Sequence, residues 1–305
     1  MEVILGSPRG FCAGVVRAID VVALALQRFG PPVYVKHQIV HNPTVVASLE
    51  AKGAITVEDV EEIPPGSVVV FSAHGSPPED YRKAQARNLR VIDATCPLVT
   101  KVHNEARRFH REGKRIILIG HRGHQEVRGT MGQAPMLLVD EREGVHLPDW
   151  DANTEVAVLT QTTLSVDDTA RAVEAIRQRF PKALIRNDLC YATTNRQAVV
   201  KALAKEADVI LVIGARNSSN CNRLREVASA QGVPAYLVNG PEEIRPEYLN
   251  GAQRVGVISG ASTPESLVQA VVNALRPQRI RHLTLAEEDI TFVLPRELRE
   301  EAPTP

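Results

Sequence analysis

Short unbroken apolar runs punctuate the chain at Val33–Val35, Val68–Phe71, Ile116–Ile119, Val156–Leu159, Val209–Ile213 and Val255–Ile258. None alternates apolar with polar residues, so each reads as a strand buried on both faces, the habit of parallel sheets. Between them lie amphipathic stretches with helical spacing, including Val15–Phe29, Val99–Arg111, Val166–Phe180 and Arg196–Glu206. Strand and helix alternate throughout, which predicts an α/β fold.

The pattern also repeats. Cys12, Cys96 and Cys190 lie 84 and 94 residues apart, and each opens a similar stretch: helix, strand, polar loop, helix, strand, strand, second polar loop, helix. In the first loops, His41, His124 and Asn220 follow their cysteines by 29, 28 and 30 residues. The second loops are Ser72–Gly75, Thr160–Thr163 and Ser259–Ser262. All six follow the carboxyl ends of predicted strands, where open parallel sheets bind ligands. The expectation is three pseudo-threefold-related α/β units with small, mostly parallel sheets, arranged as a trefoil around a central site. The units run over 13–95, 96–189 and 190–280, with residues 1–12 joining the third. The Ile290–Leu294 run reads as one more strand within a C-terminal segment 281–305, and Glu300 to Pro305 as a frayed tail.

Composition narrows the classes. In 305 residues, Lys plus Arg and Asp plus Glu are both 36, so formal net charge is zero. A general nucleic-acid or acidic-membrane binder needs excess positive charge, so neither partner is expected. No run approaches the roughly 18 apolar residues of a membrane span, and the start lacks the charged leader and long apolar core of a signal peptide. Four widely spaced cysteines then read as reduced thiols in a cytoplasmic protein.

Each repeated cysteine stands where a helix begins. Free N–H groups and the helix dipole there are expected to lower a thiol pKa and favour the thiolate that ligates metal. A lone cysteine is more simply a small buried hydrophobe, but three in matching register point to a shared centre. Three thiolates are able to hold zinc or an iron–sulfur cluster. In a four-iron cluster they would leave one iron for substrate. Cys221, one step past Asn220, is either a fourth ligand, which would close the cluster, or a helix-start residue of no catalytic role. The loops add His41, His74, His124, Thr162, Ser218, Ser219, Asn220 and Ser262, hydrogen-bond donors suited to phosphate or diphosphate. Glu126 is the one carboxylate within the six loops and a candidate proton donor. His37 and His121 remain ambiguous. No nucleotide P-loop or Rossmann fingerprint is present.

Taken with Pro8-Arg9-Gly10-Phe11-Cys12-Ala13-Gly14-Val15, Phe71-Ser72-Ala73-His74-Gly75, Asp93-Ala94-Thr95-Cys96-Pro97, Thr160-Gln161-Thr162-Thr163-Leu164-Ser165, Cys190-Tyr191-Ala192-Thr193-Thr194-Asn195-Arg196 and Asn217-Ser218-Ser219-Asn220, nearly the whole chain resembles the 4-hydroxy-3-methylbut-2-enyl diphosphate reductase family, also called IspH or LytB. The resemblance implies a [4Fe–4S] cluster held by Cys12, Cys96 and Cys190, with one iron not ligated by protein. It implies reductive dehydroxylation of that allylic diphosphate to isopentenyl and dimethylallyl diphosphates, the last step of the non-mevalonate pathway, with ferredoxin or flavodoxin as electron donor. By position, His41, His74, His124, Ser218, Ser219, Asn220 and Ser262 would hold the diphosphate. Glu126 would supply protons, and Thr162 would bond the substrate hydroxyl, with His124 beside them. Cys221 departs from the family pattern, standing where a small polar residue such as serine is expected. The competing readings are a non-redox cluster hydro-lyase, an iron–sulfur sensor or carrier using Cys221, and a three-cysteine zinc protein.

Overall fold

The computed structural model describes residues 1–299; the tail expected at 300–305 lies outside them. The chain opens with β1 (Glu2–Ser7). The first unit then runs α1 (Ala13–Phe29), β2 (Val33–Lys36), α2 (Pro43–Glu50), β3 (Ala54–Val57), β4 (Val68–Phe71), α3 (Pro78–Ala86) and β5 (Arg90–Asp93). The second runs α4 (Pro97–Arg111), β6 (Arg115–Ile119), α5 (Gln125–Met131), β7 (Leu137–Val139), β8 (Val156–Thr160), α6 (Val166–Arg179) and β9 (Leu184–Ile185). The third runs α7 (Tyr191–Leu203), β10 (Val209–Ile213), α8 (Ser219–Ala230), β11 (Ala235–Val238), β12 (Arg254–Ser259), α9 (Glu265–Leu275) and β13 (Arg279–Thr284).

Three sheets result, with orders β3-β2-β4-β5, β7-β6-β8-β9 and β11-β10-β12-β1-β13. Every pairing is parallel. The third sheet explains the continuous apolar strands. On one face Ile210 and Val212 meet Val199, Leu203 and Leu224 of α7 and α8. On the other, Val209, Leu211 and Ile213 meet Val268, Val271 and Leu275 of α9. Both faces are buried, so alternation has no polar side to report.

β1 sits between β12 and β13, with Glu2 opposite Arg254 on one side and Arg279 on the other. It takes the place beside β12 that β5 takes beside β4 and β9 beside β8. A short loop after each of these three strands leads to a cysteine. Every cysteine therefore bridges two units: its strand lies in one sheet, and the helix it opens covers the next.

The expected strand at Ile290–Leu294 does not form. Among the described residues the last strand is β13, earlier in the chain; after it Leu285, Ile290 and Val293 stay exposed, and the segment is held by a few hydrogen bonds and apolar anchors. Glu288 receives two bonds from Arg196, at 2.9 and 3.2 Å. Val293 O accepts from Arg17 at 2.7 Å, and Arg28 donates to Glu297 O. Leu294 and Leu298 pack into the apolar cluster that α1 makes with the first sheet. The segment is a strap from the third unit to the first. No helix among the described residues is long and apolar enough to cross a membrane.

Candidate functional site

One cavity collects Cys12, Cys96, Cys190, His41, His74, His124, Glu126, Thr162, Ser218, Ser219, Asn220 and Ser262. These are the three repeated cysteines and all the loop residues expected to bind substrate or carry protons, and they come from all three units. Cys221 does not line it.

The cysteines cap α1, α4 and α7, and none makes a side-chain capping bond. All three line the cavity, and Cys190 Sγ also lies 3.2 Å from Thr193 Oγ1. The expectation of lowered thiol pKa values is overturned. Burial raises all three, Cys96 to about 12 and Cys190 to about 11. Backbone N–H groups at the helix starts do pull downward, but desolvation of a thiolate costs more, and the neighbouring thiols add mutual repulsion. Thiolates here need a metal's positive charge beside them.

Gly14 marks the space between the sulfurs: a Cβ there would lie 2.7 Å from Cys96 Sγ and 3.8 Å from Cys12 Sγ. Among the described residues, the sets with ligand atoms all within 4.8 Å of one another are His37–His41–His74 and His121–Asp140–Glu141. The three sulfurs are spread more widely. A single tetrahedral zinc, with Zn–S of about 2.3 Å, holds its sulfurs about 3.8 Å apart. The spread suits a multi-iron cluster, whose separate irons each take one thiolate.

Cys221 is fully buried in the third unit's core. A Cβ at either Gly214 or Gly260 would lie 2.2 Å from its sulfur. It therefore plugs the space beneath the two loops of its unit, away from the other thiols, and the fourth-ligand expectation has no geometric support.

The opposite wall is polar but uncharged. His41 is depressed to about 3 and His124 to about 4, and His74 falls well below its ordinary value; burial is the main cause in each, with the other rings' charges adding to it. The His41 and His74 rings stack with centroids 3.9 Å apart. His124 caps α5: its Nδ1 accepts the Glu126 N–H at 3.1 Å. A neutral ring with that acceptor carries its hydrogen on Nε2.

α8 starts at the cavity, capped by Ser218, and a helix N-terminus favours an anion. Asn220 Oδ1 accepts from Ala261 N at 3.0 Å, while its buried Nδ2 has no partner. An unpaired buried donor costs about 1–3 kcal/mol unless something fills it. Ser219 Oγ is held by Thr163 and Gln161 at 3.1 and 3.2 Å, and Ser262 donates to His41 O.

Glu126 is the acid of the site. Its Oε1 accepts from Thr162 N at 2.7 Å and its Oε2 lies 3.0 Å from Thr162 Oγ1. Burial raises its pKa to about 7 against the lowering effect of those bonds, and Asp188 adds to the rise. A carboxyl so poised holds and releases a proton at neutral pH.

Several residues escaped the sequence reading. Phe292 of the strap lines the cavity. Tyr191 Oη accepts the Ala13 N–H at 3.0 Å beside Cys12. Arg196, fully buried, donates to Gly10 O at 2.8 Å and to Glu288, tying the Cys12 turn to α7 and to the strap. The Thr193-Thr194-Asn195-Arg196 run carried that signal, but nothing local names Gly10 or Glu288 as its partner.

A family model described as "LytB protein" matches residues 3–276. A protein named "4-hydroxy-3-methylbut-2-enyl diphosphate reductase 2" from Bradyrhizobium diazoefficiens is 55% identical, over 98% of this chain and 99% of its own. A "4-hydroxy-3-methylbut-2-enyl diphosphate reductase" from Aromatoleum aromaticum is 53% identical, over 98% of each. The solved "E-1-hydroxy-2-methyl-but-2-enyl-4-diphosphate reductase from Plasmodium falciparum" superposes with a TM-score of 0.95 at 38% identity, over 97% of this chain and 96% of that one. A second solved reductase, described as "the Terminal Enzyme of the Non-Mevalonate Pathway", gives 0.65 at 33% identity, over 90% and 99%.

Proposed function

The chain belongs to the LytB family, and we propose from this premise that it reduces 4-hydroxy-3-methylbut-2-enyl diphosphate to isopentenyl and dimethylallyl diphosphates, closing the non-mevalonate route to isoprenoids. One observation carries the reading to this chain: three cysteines from three units share a cavity with a set of uncharged anion donors and one raised carboxyl. The relatives' names supply the substrate and the reaction.

Cys12, Cys96 and Cys190 fit a [4Fe–4S] cluster. Their sulfurs are spread too widely for one tetrahedral metal, Gly14 leaves room between them, and their burial disfavours thiolates without a metal. With Cys221 engaged elsewhere, one iron is left without a protein ligand. When bound, the cluster supplies single electrons and a Lewis-acidic iron beside the substrate hydroxyl. We take the electrons to come from a ferredoxin or flavodoxin.

The chain's own residues do the rest. His41, His74, His124 Nε2–H, Ser218, Ser219, Asn220 Nδ2 and Ser262 bind the diphosphate, and the start of α8 adds its dipole. Anchoring there holds the allylic alcohol at the cysteine wall and turns binding into orientation. Thr162 Oγ1 bonds the substrate hydroxyl and passes it the Glu126 proton, so the oxygen leaves as water rather than hydroxide. Two electrons and two protons balance the reaction. Phe292 of the strap lines the cavity and keeps bulk water from part of it, which strengthens the polar contacts inside.

The test begins with anaerobically purified protein. Expected are the broad visible absorption of an iron–sulfur cluster, about four irons per chain, a spectral change on adding the diphosphate substrate, and turnover driven by a reduced dye. Colourless zinc-loaded protein, or turnover without any reductant, overturns the reading. Cys221→Ser should keep its iron; loss of the cluster would restore the carrier reading.

A further inference from the structure

His37 does not line the cavity, yet it is built against one of its walls. It directly follows β2 and holds φ at +62°, in the left-handed region that costs a residue with a Cβ. Its N–H donates to Val57 O at 2.7 Å, which fixes it beside the end of β3, where Glu58 follows. Its ring joins two partners. Nδ1 lies 2.9 Å from Glu58 Oε2, and Nε2 lies 2.9 Å from His41 Nε2. The His37 side chain is 19% exposed and that of Glu58 66%, so the pair forms the outer rim of a chain of contacts running inward through His41 to His74.

We propose that Glu58 and His37 are a positioning pair that fixes which ring nitrogen of His41 carries its proton, and so sets the hydrogen bond His41 offers the diphosphate. The inference deepens the diphosphate reading of the site and rests on it.

The number of hydrogens available to the three groups limits their arrangements. An ionised carboxylate only accepts, so His37 carries a hydrogen on Nδ1. Two Nε2 atoms 2.9 Å apart share one hydrogen between them: two would collide, and none would set two lone pairs against each other. When His37 is singly protonated, that hydrogen belongs to His41, whose Nδ1 is then a bare acceptor. When His37 is doubly protonated, His41 Nε2 accepts, and a neutral His41 carries an Nδ1–H donor. An anion in the cavity selects the second arrangement. It makes His41 a donor without charging a ring that burial keeps neutral. The positive charge rests on His37, one ring outward, where Glu58 compensates it. Carboxylates that orient metal-binding imidazoles act in the same way. Without Glu58, His37 has no reason to keep Nε2 aimed at His41, and the choice of nitrogen is released.

The test uses the cluster-loaded, oxidised protein and inorganic pyrophosphate. Glu58→Gln keeps the shape of an exposed side chain, and His37→Asn keeps a residue that tolerates the left-handed backbone. Each should raise the inhibition constant of pyrophosphate and the KM of the substrate about tenfold, the worth of one hydrogen bond to a charged group, with kcat within about twofold. The double variant should be no worse than His37→Asn alone, because the two act as one unit. Glu58→Asp should recover part of the loss. Nitrogen-15 shifts of the His41 ring, read with and without pyrophosphate, should show one tautomer in each state of the parent protein and a mixture in Glu58→Gln. An unchanged inhibition constant, additive losses, or a single unaltered tautomer in Glu58→Gln overturns the pair. Failure of pyrophosphate to inhibit the parent overturns the diphosphate reading instead. The ligand-free tautomer comparison still decides the pair in that case.

Discussion

Burial moves His41 and His74 of the first unit and Glu126 of the second in opposite directions along the pH scale. The imidazoles lie on loops after β2 and β4, and the carboxyl in the first turn of α5, just after the corresponding loop that follows β6. Desolvation is the largest cause for all three. It penalises whichever form is charged, so the rings lose a proton and the acid keeps one. Both walls reach the same condition, donors without charge, from opposite chemistries. No Lys or Arg is among the residues lining the cavity. A diphosphate entering it is met by neutral hydrogen bonds and helix termini. Its arrival favours protonation of the groups around it. That coupling suits a reaction that consumes protons and releases water.

The strongest way to break the comparison is Glu126→Gln. The amide keeps both contacts with Thr162 but carries no transferable proton, so kcat should fall by about 10²–10⁴-fold, measured by single-turnover reduction with a dye. On the other wall, His74→Asn should act mainly on binding. Pyrophosphate inhibition should weaken by about 10–100-fold, the range for one hydrogen bond to a charged group, with a smaller change in kcat. A mirror-image result, binding lost at Glu126 and rate lost at His74, would dissolve the distinction between the walls.

Two pH experiments sharpen it. With Glu126 as the proposed proton donor, kcat should fall about tenfold per pH unit above about 7, and the limb should vanish in the residual rate of Glu126→Gln. Stability gives the smaller effect. For Glu126 the folded value of about 7 exceeds the ordinary 4.5. Its contribution is complete below pH 4.5 and lost as pH rises to 7. For His41 and His124 the folded values of about 3 and 4 lie below the ordinary 6.5. Their contribution is complete above pH 6.5 and lost as pH falls toward 4 and 3. Denaturant midpoints of Glu126→Gln should therefore gain on the order of 2 kcal/mol at pH 8 relative to pH 4.5, whereas His41→Asn should gain at pH 4 relative to pH 7. Parallel pH profiles for the two variants would mean that burial is not the shared cause.

What the sequence exposed, and what it hid, follows from the same physics. The central strands β2, β4, β6, β8, β10 and β12 were legible because helices on both faces demand unbroken apolar runs. Edge strands were not. β13 reads Arg-Ile-Arg-His-Leu-Thr with much of it exposed, and β9 has two residues. Ile290–Leu294 looked like a strand because it is apolar, but Ile290 and Val293 stay exposed, while Leu294 packs on the α1 cluster and Phe292 lines the cavity, which local pattern does not distinguish from a sheet. The cysteine register was legible through the repeat, and the position of the thiols at helix starts with it. Their protonation was not, because the sign depends on how much solvent the fold removes. The role of Arg196 was hidden because its partners Gly10 and Glu288 lie 186 and 92 residues away.

The pairing of β1 with β13 bears on how the protein is made. Glu2 finds its neighbour at Arg279, so the first strand waits on the ribosome until nearly all of the chain has emerged. Cys12 hangs from that strand. The first two sheets use only residues near one another and are free to form during synthesis, but Cys12 reaches the cavity it shares with Cys96 and Cys190 only when β1 is in place. The meeting of the three thiols is therefore a late event in folding, set by long-range strand pairing rather than by local structure.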